Sequence, residues 1–201
     1  DRNQMDITNI ENVRRIIEDV KPDVVVHAAA YTNVDLAESE RDQAFLVNAI
    51  GTRNIAIFAE RVSAKLVYIS TDYVFNGMAE SPINEFTPTD PINVYGQSKL
   101  AGEQFVRDFH NQFFIVRTSW VFGLHGNNFV KTMLKQAKTK EKITVVADQI
   151  GSPTYTVDLS KMIVELIRTE KYGIYHISNS GKCSWYEFAK AIYDEAGIHV
   201  H

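Results

Sequence analysis

Leu66-Val67-Tyr68-Ile69-Ser70-Thr71-Asp72-Tyr73-Val74-Phe75 is the stretch that decides the fold. It opens on four apolar residues of strand-forming type. It then changes abruptly to two hydroxyls, a carboxylate and a phenol. Ser, Thr and Asp favour strand-end turns through local hydrogen bonds, so the segment reads as a buried strand with a polar mouth. Two shorter runs repeat the pattern, Val24-Val25-Val26 before it and Phe113-Phe114-Ile115-Val116 after it. The wholly apolar run Val24 to Val26 predicts a strand covered on both faces.

Helical patterns separate these strands. Thr8-Asn9-Ile10-Glu11 predicts a capping box, with Ile10, Val13, Ile17 and Val20 on one face and Pro22 as the stop. Ala44, Val47, Ile55, Phe58 and Ala59 mark a long second helix. Further helices are expected after Val94, near Phe129 to Lys138, and at about 156–169 and 185–196. The last opens on the capping box Ser184-Trp185-Tyr186-Glu187 and stops at Gly197. Trp185, Phe188 and Ile192 read as its core face. Ile143 to Val146 and Ile174 to Ile177 are later strand candidates. Strands alternating with crossover helices mean an α/β protein with a parallel sheet. The loop Asn76 to Asn93 is long enough to expect a functional role.

Composition narrows the function. The 201 residues carry 21 Lys+Arg against 25 Asp+Glu, a net charge of −4, so no basic footprint points to nucleic acid. Hydrophobic residues at 45% and charged residues at 23% exclude a disordered chain. No apolar run reaches the roughly 18 residues of a membrane span, and none is expected. The single cysteine, Cys183, excludes a disulfide framework and fits a cytoplasmic protein. Of the six histidines only His199 and His201 are close, without a third ligand, so no metal is expected. His27 reads as a hydrogen-bonded packing residue. Lys131, Lys135, Lys138, Lys140 and Lys142 read as a solvated face.

In open α/β sheets ligands sit beyond the carboxyl ends of the strands. His27-Ala28-Ala29-Ala30-Tyr31-Thr32 follows the first strand, with small residues that allow close approach to the backbone. Tyr95-Gly96-Gln97-Ser98-Lys99 lies on the helix after the long loop. Its Tyr and Lys are four apart and share a face, which alone reads as a solvated helix surface. A phenol titrates at about 10 in water, and a neighbouring ammonium would lower that value toward a usable acid.

These motifs together resemble the extended short-chain dehydrogenase/reductases that act on nucleotide-linked sugars, and within them the dTDP-4-dehydrorhamnose reductase family. The resemblance rests on Asp6 to Thr8, Ala28 to Asp35, Asn48 to Thr52, Ser70 to Phe75 and Tyr95 to Glu103. It continues through Arg117 to Trp120, Gly126 to Phe129 and Asp148 to Thr154. It implies a doubly wound, Rossmann-like sheet with a small C-terminal substrate-binding part. Residues 1–122 are the expected dinucleotide-binding and catalytic domain. Residues 123–201 are the expected mixed region, with substrate-binding segments and a partial return to the sheet.

The implied catalytic residues are Thr71, Tyr95 and Lys99. Tyr95 would give a proton to the sugar C4 oxygen as hydride arrives from NADPH or NADH. Lys99 would lower the Tyr95 pKa and hold the nicotinamide ribose, and Thr71 would hold the carbonyl oxygen. Asp6, Ile7, Ala29, Ala30, Tyr31 and Thr32, with Tyr95 and Lys99, match cofactor-binding positions. Asp72, Tyr73, Trp120 and Asn128, with Thr71, match substrate contacts. The product would be dTDP-L-rhamnose, from dTDP-4-dehydro-6-deoxy-L-mannose.

Dehydratases of this superfamily resemble Thr-Asp-Glu at the strand end, where this chain has Tyr73, which favours reduction over elimination. An epimerase, or a non-catalytic member such as a methionine adenosyltransferase regulatory subunit, stays an alternative. A homodimer is compatible with the family. The family's first strand and Gly-rich turn are expected before Asp6, so the chain as it stands is expected to bind the dinucleotide weakly.

Overall fold

A computed structural model describes residues 4–198, and the His199/His201 pair lies outside them. The elements run α1 (Ile10–Val20), β1 (Val24–His27), α2 (Val34–Ser39), α3 (Arg41–Phe45), a π-helical segment (Leu46–Gly51) and α4 (Thr52–Arg61). Next come β2 (Lys65–Thr71), a 3-10 turn (Asp72–Val74), α5 (Val94–Phe109), β3 (Phe113–Thr118), β4 (Val121–Phe122) and α6 (Phe129–Ala137). The chain continues through β5 (Ile150–Gly151), β6 (Thr154–Tyr155), α7 (Thr156–Ile167), β7 (Gly173–His176), β8 (Cys183–Ser184) and α8 (Trp185–Ala196). Two compact units result: Asp1–Arg117 with Ile163–His176, and Thr118–Met162 with Ile177–His201.

The first unit carries a sheet of strand order β1-β2-β3-β7, in which β1–β2 and β3–β7 pair in parallel. Its parallel α/β form is the one the alternating pattern predicts, and it is Rossmann-like, as the resemblance implies. Leu66, Val67 and Tyr68 of β2 and Phe114, Ile115 and Val116 of β3 are fully buried, as central strands of such a sheet require. Val13 and Ile17 of α1 pack with Ile55, Phe58 and Leu66 in the main core. The second unit has the short pairs β4–β6, parallel, and β5–β8, antiparallel. Met133 of α6 packs there with Ala189, Ile192 and Tyr193 of α8. The Ser184 capping box forms in full, and Gly197 takes the left-handed conformation at φ 64°.

Several local expectations are corrected. Thr8 does not cap α1, because the Asp6 carboxylate takes both its hydroxyl, at 2.7 Å, and its amide. Asn9 caps instead, accepting from the Asn12 amide, while Glu11 pairs with Arg14. Ile10 and Val20 of the predicted stripe are exposed. Val26 is 50% exposed rather than covered, since among the described residues β1 has β2 alone as a sheet neighbour. Ile143 to Val146 is not a strand, although the Val146 carbonyl accepts the Tyr186 amide. The long second helix is interrupted by the π-helical segment, whose extra residue per turn periodicity does not reveal.

α5 approaches β2 and the π-helical segment at glycine distance. A Cβ on Gly102 would lie 2.4 Å from the Tyr68 hydroxyl and 2.5 Å from the Asn48 carbonyl. Both are held by packing, so neither can withdraw without moving the helix. Gly102→Ala is expected to destabilise the protein by about 1–3 kcal/mol through overpacking, measured by urea denaturation.

Candidate active site

The strand end at β2 gathers the three residues of the proposed catalytic set. Thr71 caps the 3-10 turn, accepting the Tyr73 amide at 3.2 Å and donating to the Asp72 carboxylate at 3.1 Å. The Thr71 hydroxyl also stands beside the Tyr95 phenol and acts to lower its pKa. Lys99, buried on the same face of α5, donates to the Ile69 carbonyl at 2.7 Å. Its amine lies 4.1 Å from the Tyr68 ring centroid, within cation–π reach. Asn93 starts α5 by capping the Gly96 amide at 2.7 Å, which sets where Tyr95 and Lys99 fall. Gly96 is required there, since a Cβ would lie 2.1 Å from the Tyr73 carbonyl.

Electrostatics correct one expectation. Burial pushes the Tyr95 phenol up to about 12, against the lowering effect of the Thr71 hydroxyl. The charges that act on it, Asp72 and Tyr73, raise it further. Lys99 is not among the groups that lower it, and burial brings the Lys99 pKa itself down to about 7, with only Glu103 acting to raise it. Burial also raises Asp72, to about 6. Tyr95 is therefore a held proton donor at neutral pH, beside an amine close to its titration point.

Beyond β1, Ala28 and Ala29 are exposed and Ala30 is half-buried, with Thr32 exposed alongside. Asn48, from the π-helical segment, holds this turn. Its Oδ1 accepts the Tyr31 amide at 2.7 Å, and its Nδ2 donates to the Tyr31 carbonyl and to Ser98 Oγ. Ser98 in turn donates to the Tyr95 carbonyl at 2.7 Å. One buried amide thus links the β1 turn to the helix bearing Tyr95. The Tyr31 phenol donates to Glu40. Asp6 binds Thr8, and the Ile7 side chain is in the core while its carbonyl accepts from Asn54. His27 is the packing residue expected, 2.9 Å from Thr52 Oγ1 and stacked on Tyr68.

These residues fit a nicotinamide dinucleotide. The small side chains bare the backbone beyond β1, and the Lys99 amine, spending one hydrogen bond on Ile69, keeps donors for a ribose. Tyr73 meets the Tyr95 ring edge-on, with centroids 5.6 Å apart.

Trp120 and Asn128 belong to the second unit. Trp120 has φ 49°, the left-handed region, which is an outlier for a bulky residue. It stacks on Trp185 at 3.5 Å between centroids, with Gly151 against its ring. Asn128 caps α6, accepting the Lys131 amide and donating to the Gly123 carbonyl. Sequence reasoning left Asn48 and Glu103 without roles. The available signal was a polar residue set in an apolar helical run for Asn48, and the four-residue step from Lys99 for Glu103.

The RmlD substrate binding domain model matches residues 1–201, and the chain belongs to that family. It is 49% identical over 199 residues to the spore coat polysaccharide biosynthesis protein SpsK of Bacillus subtilis, covering 99% of this chain and 70% of that one. It is 45% identical over 202 residues to dTDP-4-dehydrorhamnose reductase of Aggregatibacter actinomycetemcomitans, covering 98% and 69%. Among solved structures, dTDP-4-dehydrorhamnose reductase of Bacillus anthracis in complex with NADP superposes with a TM-score of 0.98. It is 56% identical and is matched over 100% of this chain and 72% of its own.

The buried amine yields a sign-specific prediction. Between pH 7 and 10.5 the unfolded chain keeps the Lys99 proton that the folded chain has given up. Stability rises with pH wherever the unfolded state binds more protons. Wild type should therefore gain stability relative to Lys99→Met as pH rises from about 7 to 10. Paired denaturation curves across that range check it, and a constant difference would refute it.

Proposed function

We propose that this protein reduces the C4 ketone of dTDP-4-dehydrorhamnose to dTDP-L-rhamnose with NADPH or NADH. The observation that carries the reading is the β2 end, where the Ile69 carbonyl holds Lys99 and the Thr71 hydroxyl stands beside the Tyr95 phenol. The nicotinamide, when bound, supplies hydride to the ketone carbon. Charge then develops on the C4 oxygen, and Tyr95 gives that oxygen its proton. A phenol that keeps its proton at neutral pH is the form this step requires. The Thr71 hydroxyl, held by the Tyr73 amide, turns the proton it gives to Asp72 toward the same oxygen as charge grows there. Lys99 holds the ribose and can pass a proton toward Tyr95 near neutrality.

Asp72 and Tyr73 border Thr71 and take the sugar side. Trp120 supports a substrate contact, since a left-handed tryptophan is the kind of outlier that persists where surroundings enforce it. Asn128 is the weaker member, because its amide is already spent on capping α6. Ala29, Ala30, Tyr31 and Thr32 line the dinucleotide, while Asp6 and Ile7 shape the adenine end through their backbone. The one cysteine supports a cytoplasmic enzyme, and a homodimer is consistent with the reading. No helix among the described residues is long and apolar enough to cross a membrane.

Tyr95→Phe is expected to lower kcat by about 10²–10⁴, the usual contribution of a general acid. Dinucleotide oxidation should require the dTDP-4-keto sugar. Equal turnover by Tyr95→Phe and wild type would defeat the assignment. Dinucleotide binding without any turnover would mark a binding protein instead.

A further inference from the structure

Three side chains of α5 reach the β2 end, and the third, Glu103, has no part in the chemistry above. Lys99 bonds to Ile69, Glu103 bonds to Ser70, whose hydroxyl donates to Oε1 at 2.5 Å, and Tyr95 stands beside Thr71. The three helix residues are spaced by four and share one face. The three strand residues are consecutive. Glu103 is 2% exposed and would be a costly isolated charge. Arg117 of β3 neutralises it with a two-pronged contact, Nε to Oε1 at 2.9 Å and Nη2 to Oε2 at 2.7 Å. The guanidinium itself is 5% exposed and lies 5.1 Å from the Phe75 ring centroid.

We propose that the Glu103–Arg117 pair is a positioning device for the reductase reaction, orienting Ser70 so that the flanking Ile69 and Thr71 hold Lys99 and Tyr95. The proposal rests on the reductase reading. Well-packed apolar residues would join α5 to β3 at no greater cost than a buried ion pair. They could not accept the Ser70 hydroxyl, and that contact is what pins the strand end between its two functional neighbours. The two-pronged geometry matters because it fixes the carboxylate plane, and only Arg supplies it. Neither residue of the pair touches substrate; each acts through Ser70.

The test uses Glu103→Gln, Arg117→Met and Arg117→Lys in the intact protein, with two readouts. Turnover should show kcat lower by about 10- to 100-fold in Glu103→Gln and Arg117→Met, as expected for a reacting group misplaced by order 1 Å. The dinucleotide KM should change less than kcat does, and Arg117→Lys should recover part of kcat. Amide hydrogen exchange at residues 69–72, measured without substrate, should be roughly tenfold faster in the first two variants. If Arg117→Met does not fold, Glu103→Gln and Arg117→Lys carry both measurements. Wild-type kcat in a folded Glu103→Gln variant, or unchanged exchange at residues 69–72, overturns the proposal. If wild type itself turns over no keto sugar, the reductase reading falls and the exchange measurement alone decides the positioning role.

Discussion

The burial of a polar helix face organises the first unit. Ser98, Lys99 and Glu103 of α5 are 0–3% exposed, so each donor or acceptor must find a partner inside the protein. Those partners come from three directions. The π-helical segment sends Asn48 to Ser98, the end of β2 offers the Ile69 carbonyl and the Ser70 hydroxyl, and β3 sends Arg117. Satisfying one side chain fixes the approach of the next. The close contacts at Gly96 and Gly102 follow, because partners within hydrogen-bond range leave no room for a Cβ between helix and strand.

The same burial sets the chemistry. Desolvation moves Tyr95 and Lys99 in opposite directions, up to about 12 and down to about 7. Each residue is thereby shifted toward its uncharged form. A neutral phenol can donate, and a lysine near its titration point can exchange a proton at little cost. In the proposed reaction, a low-dielectric strand end is also where a fixed hydroxyl such as Thr71 would act most strongly on developing charge.

How much of this the sequence made legible depends on the range of each interaction. Strands Leu66 to Ile69 and Phe113 to Val116 were readable because their burial is written into consecutive side chains. The Ser184 capping box was readable because it closes within four residues. Thr8-Asn9-Ile10-Glu11 carries the same signature and fails, since Asp6, two residues upstream, competes for the Thr8 hydroxyl. Val26 failed because its exposure depends on what lies beside β1, which the residue itself does not encode. Tyr95 and Lys99 could be placed on one face from spacing alone. The direction of the Tyr95 shift could not, because it depends on how deeply α5 sinks against β2. Asn48 and Arg117 bond to residues 17, 50 and 14 positions away, a separation that local pattern does not describe.

The π-helical segment has a consequence for the length of the chain as well as its composition. Ala44 and Val47 precede or enter it, while Ile55, Phe58 and Ala59 follow it on α4. Ala44 packs with Ala37 and Val94, Val47 joins Ile55 and Phe58 in the main core, and between them Asn48 turns toward Ser98. An α-helix advances about 100° per residue. Removing one residue between Leu46 and Gly51 would restore regular α geometry and swing one group out of phase with the other by about that angle. The helix would survive such a deletion, but the amide joining the β1 turn to α5 would not stay in place. Spacing in this segment is therefore held by the site rather than by the helix that contains it.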